Sequence, residues 1–195
     1  MQRRFRDKGW METQQIIKSG IDHGLVLEIG PGPGYLGLEW LKNTNGTQLR
    51  GLDISPDMIN RARHNTQEYN LESRVEYVES DSKTMPFADS MFDGVFSNGS
   101  LHEWSDPKDV SNEISRVLKP GGKYFISDLR RDIHPFVVWF MKVMTKPKEI
   151  KPGLITSINA AYTVDEITEI LKESHLKNFT VGKDVMGLQI TGFKS

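Results

Sequence analysis

Gly30-Pro31-Gly32-Pro33-Gly34 stands directly after the apolar run Leu25-Val26-Leu27-Glu28-Ile29 and directly before Tyr35-Leu36-Gly37-Leu38-Glu39-Trp40-Leu41. A short apolar run that breaks into alternating glycines and then resumes reads as strand, tight turn, helix. Glycine in such a turn lets the backbone come close to a bound molecule, because a side chain would occupy the same space. In a doubly wound α/β sheet, this loop at the carboxyl end of the first strand is where a nucleotide-like ligand is held.

Two glycine patterns overlap here. Gly32-x-Gly34-x-x-Gly37 satisfies the dinucleotide fingerprint, with Asp53 at a suitable distance for a ribose hydroxyl. The other pattern is Glu28-x-Gly30-x-Gly32-x-Gly34, an acidic residue at the strand end followed by three alternating glycines. Physical chemistry favours the second. Pro31 and Pro33 remove two backbone donors, which suits a ligand without a pyrophosphate. Glu28 adds negative charge, which helps an ammonium or sulfonium and hinders a diphosphate.

Strand and helix signals alternate along the rest of the chain. Gln48–Ile54 reads as a second strand ending in Asp53, and Ser55-Pro56-Asp57 as a helix start with serine at the N-cap. Val75–Glu79 and Phe92–Ser97 are strands three and four. Asp106-Pro107 opens a helix with Val110, Ile114, Val117 and Leu118 on one face. Lys119-Pro120-Gly121-Gly122 is expected to stop it, before a fifth strand over Lys123–Asp128. Thr163-Val164-Asp165-Glu166 is a capping box for a helix to about His175. Phe179–Val181 and Gly187–Phe193 pair as a terminal hairpin. The alternation predicts a mostly parallel sheet covered on both faces.

The 195 residues suit a single domain, 1–195. Lys+Arg of 25 against Asp+Glu of 26 lacks the basic excess of a nucleic-acid binder. The absence of cysteine excludes disulfides, thiolate nucleophiles and cysteine metal sites, and fits a reducing cytosol. Basic residues near Met1 precede no apolar signal region, and the longest apolar stretch, Phe136–Met144, is interrupted by Lys142. A cytoplasmic protein with no transmembrane segment is expected.

These motifs resemble the class I S-adenosylmethionine (SAM)-dependent methyltransferases, in particular the small-molecule branch with the ubiquinone/menaquinone-biosynthesis-like enzymes. The resemblance rests on Val26–Gly34, Gly51–Met58, Glu79-Ser80-Asp81-Ser82 through Phe87, Phe92–Val95 and Arg116–Gly122, in that order. It implies a Rossmann-like, doubly wound, mostly parallel seven-stranded sheet with a C-terminal antiparallel strand. It also implies SAM as cofactor. Gly30, Gly32 and Gly34 would pack under its methionine and ribose portions, and Glu28 would approach its amino group or support the loop. Asp53 would accept from both ribose hydroxyls. Ile54 and Met58 would flank the adenine. Asp81 would accept from the exocyclic amine, with Ser82 donating from its backbone, and Asn98 would meet the methionine end or the substrate. The bland alternatives are core packing for Ile54 and Met58 and turn capping for Asp81.

Methyl transfer needs alignment and exclusion of water more than a catalytic triad. A base is required only when the acceptor must lose a proton. His102, in the loop Asn98–Trp104, is the candidate, against a structural histidine. Trp104, Arg130 and Arg131 are candidate substrate contacts; the alternative for the arginines is a salt-bridge cluster with Asp128 and Asp132. No metal is expected. Residues 1–21 read as a short cap carrying Trp10, and 134–156 as a lid insertion, a dimer contact or a membrane-surface contact helped by Lys142, Lys146, Lys148 and Lys151. A small-molecule acceptor and a monomer or homodimer are expected. The rival readings are an NAD(P)-dependent oxidoreductase and a SAM-binding protein without catalysis.

Overall fold

The computed structural model describes residues 11–145 and 151–195. Trp10 of the expected cap, and Lys146, Pro147 and Lys148 of the expected lid, lie outside the described residues. The elements are α1 (Thr13–Lys18), β1 (Leu25–Ile29), α2 (Tyr35–Lys42), β2 (Gln48–Asp53), α3 (Pro56–Tyr69), β3 (Val75–Glu79) and β4 (Phe92–Asn98). A 3-10 turn, Leu101–Glu103, precedes α4 (Pro107–Val117) and β5 (Leu118–Leu129). Then come α5 (Pro135–Met144), α6 (Lys151–Ala160), α7 (Val164–Glu173), β6 (Phe179–Lys183) and β7 (Gly187–Phe193).

The seven strands form one sheet in the order β3-β2-β1-β4-β5-β7-β6. Strands β1 to β5 pair in parallel, whereas β7 pairs antiparallel with both β5 and β6. The order reverses between β1 and β4, the switch point at which open α/β sheets bind ligands beyond the strand ends. Ile29, Asp53, Glu79, Asn98 and Leu129 end their strands along that one edge.

Strand β1 shows why the sheet needs both covering layers. Its side chains alternate between faces: Val26 joins Ile16, Leu36, Trp40 and Phe96 in one core, and Leu27 and Ile29 join Val110, Ile114, Ile167 and Leu171 in the other. Local signals set the helix starts. Ser55 Oγ accepts from the Met58 N–H with Pro56 at the first helical position, Asp106 accepts from the Lys108 and Asp109 N–H groups, and Thr163 with Glu166 forms a complete capping box.

One boundary departs from expectation. Lys119–Gly122 does not separate helix from strand; it belongs to β5, whose register against β4 shifts between Phe92 and Gly94. The chain end supplies the partners that make this possible: the Gly121 N–H donates to the Lys194 carbonyl (2.7 Å), and the Lys194 N–H to the Gly122 carbonyl (2.9 Å). Pro152 sits in the first turn of α6, where its missing N–H costs nothing. Among the described residues no helix is long and apolar enough to cross a membrane.

Candidate active site

The glycine loop is closed on itself. Gly30, Gly32 and Gly34 all adopt left-handed φ (66°, 54° and 81°), the region where a side chain is strained. The Gly30 N–H donates to the Leu52 carbonyl (2.9 Å), the Gly34 N–H to the Pro31 carbonyl (2.9 Å) and the Gly32 N–H to Asp53 Oδ2 (3.0 Å). With Pro31 and Pro33 lacking N–H groups, residues 30–34 have every amide engaged or absent. Such a loop offers no amide cradle for a diphosphate.

Asp53 is the hinge between loop and β2. Its Oδ1 accepts from the Ser55 N–H (2.9 Å) while Oδ2 holds Gly32. The carboxylate is half-buried at the sheet edge, and each oxygen keeps a second lone pair for an incoming hydroxyl. Next to it Ile54 is 70% exposed, an apolar side chain left on the rim, and Met58 is half-buried. Asp81 Oδ1 accepts from the Lys83 N–H (2.9 Å) and closes the turn after β3, while Oδ2 lies 3.8 Å from Lys83 Nζ; Ser82 is half-buried in the same turn.

Glu28 lies beneath the loop, 2% exposed. Burial raises its carboxyl to about 8; the Gly37 N–H partly offsets this and the Asp53 charge adds to it. Oε2 has no hydrogen-bond partner. A Cβ on Gly37 would stand 2.2 Å from that oxygen and 2.4 Å from Leu49 Cδ2. The absence of a side chain at Gly37 thus lets α2 lie directly over Glu28 and Leu49.

At the switch point Asn98 Nδ2 donates to Ser127 Oγ (2.9 Å) and to Glu12 Oε2 (3.1 Å), and Ser127 Oγ also donates to Glu12. Glu12, just before α1, was not among the sequence candidates; an acidic residue in a capping segment carries no local signal. Burial holds its carboxyl above the usual range, offset by the bonds from Ser127 and Asn98 and reinforced by Asp184 and Asp128.

His102 sits in the 3-10 turn after β4 with its side chain 9% exposed. Its backbone N–H donates to Asp128 Oδ2 (2.8 Å), and Nδ1 lies 2.9 Å and 3.0 Å from the two Asp128 oxygens. A carboxylate partner assigns the proton to Nδ1 and leaves Nε2 as acceptor in the neutral ring. The hydrogen bond to Asp128 raises the His102 pKa; burial opposes this, and the charges of Asp128 and Glu103 add to it.

The other expected contacts are engaged elsewhere. Asp128 pairs with His102 and not with the arginines. Trp104 is packed in the core. Arg130 Nη1 lies 3.4 Å from Asp132, with its Nε buried and unpartnered. Arg131 binds Glu166 and donates to the Ala161 carbonyl (3.2 Å), fastening the end of α6 to the start of α7.

Residues 27–126 match the family described as a methyltransferase domain. The chain belongs to that family. This methyltransferase domain is 28% identical over 179 residues to demethylmenaquinone methyltransferase of Desulfitobacterium hafniense, covering 88% of this chain and 70% of the relative. It is 33% identical over 104 residues to methyltransferase GfsG of Streptomyces halstedii, covering 53% of this chain and 37% of that protein. Among solved structures, a SAM-dependent methyltransferase from Aquifex aeolicus superposes with a TM-score of 0.72 at 21% identity, covering 95% of this chain and 90% of that one. The chain spans about two fifths of the length of curated relatives such as GfsG.

Proposed function

We propose that the chain is a cytoplasmic enzyme that binds SAM at the switch point and transfers its methyl group to an apolar small-molecule acceptor. The closed glycine loop carries this reading: with the amides of residues 30–34 engaged or absent, the site disfavours a dinucleotide and suits a ligand joined to its adenosine through sulfur. The donor set fits an adenosine. The Asp53 carboxylate meets two vicinal hydroxyls, the Ile54 and Met58 side chains border a flat ring, and Asp81 Oδ2 with the Ser82 backbone faces the ring edge. Asn98, fixed by Glu12 and Ser127, meets the methionine end.

When bound, SAM supplies an activated methyl group, so the protein's task is alignment and proton handling. His102 Nε2 accepts the proton of a hydroxyl or acidic C–H acceptor, and Asp128 fixes the ring and stabilises the imidazolium. Base catalysis of this kind contributes roughly 10²–10⁴-fold. Of the expected lid, residues 134–145 and 151–156 form the acceptor-side wall. Leu154 and Ile158 of α6 pack with Ile133 and Leu129, and α6 rests on the turn that carries His102. This apolar wall supports an apolar acceptor. Residues 11–21 act as the opposing cap through Glu12.

Incubation with SAM and a panel of phenolic, quinol and aliphatic hydroxyl acceptors tests the reading. Formation of S-adenosylhomocysteine only with acceptor, and its loss in Asp53→Ala, is expected. SAM binding without turnover on any acceptor would favour a non-catalytic SAM-binding protein.

A further inference from the structure

Helix α5 has no buried residue. Val137, Val138 and Met141 pack against the cluster of Ile133 with Leu154 and Ile158 of α6. The opposite face presents Phe136, Trp139, Phe140, Val143 and Met144, from 48% to 65% exposed. Phe136 and Trp139 stack on one another at 5.6 Å between ring centroids, forming a continuous aromatic surface. A second apolar prong rises from the end of the sheet that leads into α5. Gly187, the first residue of β7, pairs with Leu129 at the end of β5, so the preceding turn rises from the same sheet edge. Asp184 Oδ1 accepts from the Met186 and Gly187 N–H groups (2.8 and 2.7 Å) and holds this turn tight. At its tip Val185 and Met186 are 67% and 48% exposed. Among the described residues, Phe193 is the one exposed large apolar side chain away from that edge, paired with Lys123 in the middle of β5.

The charge around α5 is biased to positive, while the second turn carries one charge of each sign, Lys183 and Asp184. From Ile133 to Ala161 the sequence carries Lys142, Lys146, Lys148 and Lys151 against the single acid Glu149, in a chain of net charge −1. A protein interface also has an aromatic core and a polar rim, so the positive bias of that rim is what selects an anionic surface. Aromatic side chains with lysines at the rim match the boundary of a bilayer, where rings sit at headgroup depth and ammonium groups meet anionic lipid.

We propose that α5 and the Asp184–Met186 turn dock this protein on the surface of an anionic phospholipid bilayer. The two prongs insert into the headgroup boundary while α6 and the sheet edge stay above it. Docking does not depend on the methyl-transfer reading. If both hold, an apolar acceptor dissolved in the bilayer reaches His102 past α5 and α6 without crossing water.

Co-sedimentation of the full chain with phosphatidylcholine vesicles, and with vesicles containing about one third phosphatidylglycerol, tests this. Binding to the anionic vesicles is expected, weakened about tenfold or more by Trp139→Glu with Phe140→Glu. Lys142→Glu with Lys151→Glu, or added salt, should weaken it several-fold. Val185→Ser with Met186→Ser tests the second prong should the aromatic variant fail to fold, and circular dichroism reports folding in each case. Absence of wild-type binding to anionic vesicles, or equal binding by the folded aromatic variant, overturns the proposal. So does a wild-type dimer that ignores vesicles and dissociates in the aromatic variant, which would assign the face to a second copy of the chain.

Discussion

His102 Nδ1 lies 2.9 Å from Asp128 Oδ2, joining the turn after β4 to the end of β5. The pair leaves Nε2 as the ring's acceptor, so the rate should fall at low pH as Nε2 becomes protonated. His102→Ala should lower kcat about 10²–10⁴-fold with SAM affinity little changed. Asp128→Asn removes the hydrogen-bonded charge that raises the His102 pKa. The acidic limb of its pH–rate profile should therefore move to lower pH, with a reduced plateau. An unmoved limb would remove Asp128 from this role.

The same pair has a stability signature of the opposite sense. A histidine whose folded pKa lies above its unfolded value of about 6.5 stabilises the fold fully below that pH. The contribution disappears as pH rises through the folded pKa. Thermal unfolding across this window should show the decline in wild type and not in His102→Gln.

Glu28 makes a separate prediction. Its carboxyl is raised to about 8 in the fold against about 4.5 when unfolded, so the folded state holds the extra proton between those values. Stability should drop as pH rises from about 4.5 to 8, because the unfolded state ionises first. Glu28→Gln, neutral at every pH, should flatten this part of the curve. Melting temperatures at pH 5 and pH 8 for both proteins would check it.

Gly37→Ala should destabilise the protein by about 1–3 kcal/mol through overpacking. Alanine favours a helix by about 1 kcal/mol over glycine, yet its Cβ would collide with Glu28 Oε2 and Leu49. Chemical denaturation gives the sign directly.

Much of this arrangement is legible in the sequence because its signals are local. The run Leu25–Ile29, the glycine loop, Asp53 and the caps at Ser55, Asp106 and Thr163 each declare themselves within a few residues, and alternation then fixes a parallel sheet. What remains hidden depends on distance along the chain. Glu12 meets Ser127 across 115 positions and Asn98 across 86, and no periodicity encodes that. Asp128 looks like a partner for Arg130 and Arg131 by adjacency. In the fold, strand pleating and the turn at Leu101–Glu103 bring His102 to it, while Arg131 turns to the α6–α7 junction. The extension of β5 back to Leu118 depends on Lys194, near the far end of the chain, arriving beside Gly121 and Gly122.

Calorimetric titration of wild type and Asp53→Ala with SAM, S-adenosylhomocysteine and NADH tests the central claim most directly. Asp53 is expected to hold both the Gly32 amide and the ribose hydroxyls. SAM and S-adenosylhomocysteine should therefore bind wild type, bind the variant about 10²-fold more weakly, and leave NADH without measurable heat. Binding of NADH in preference to SAM, or SAM affinity unaffected by Asp53→Ala, would contradict the account.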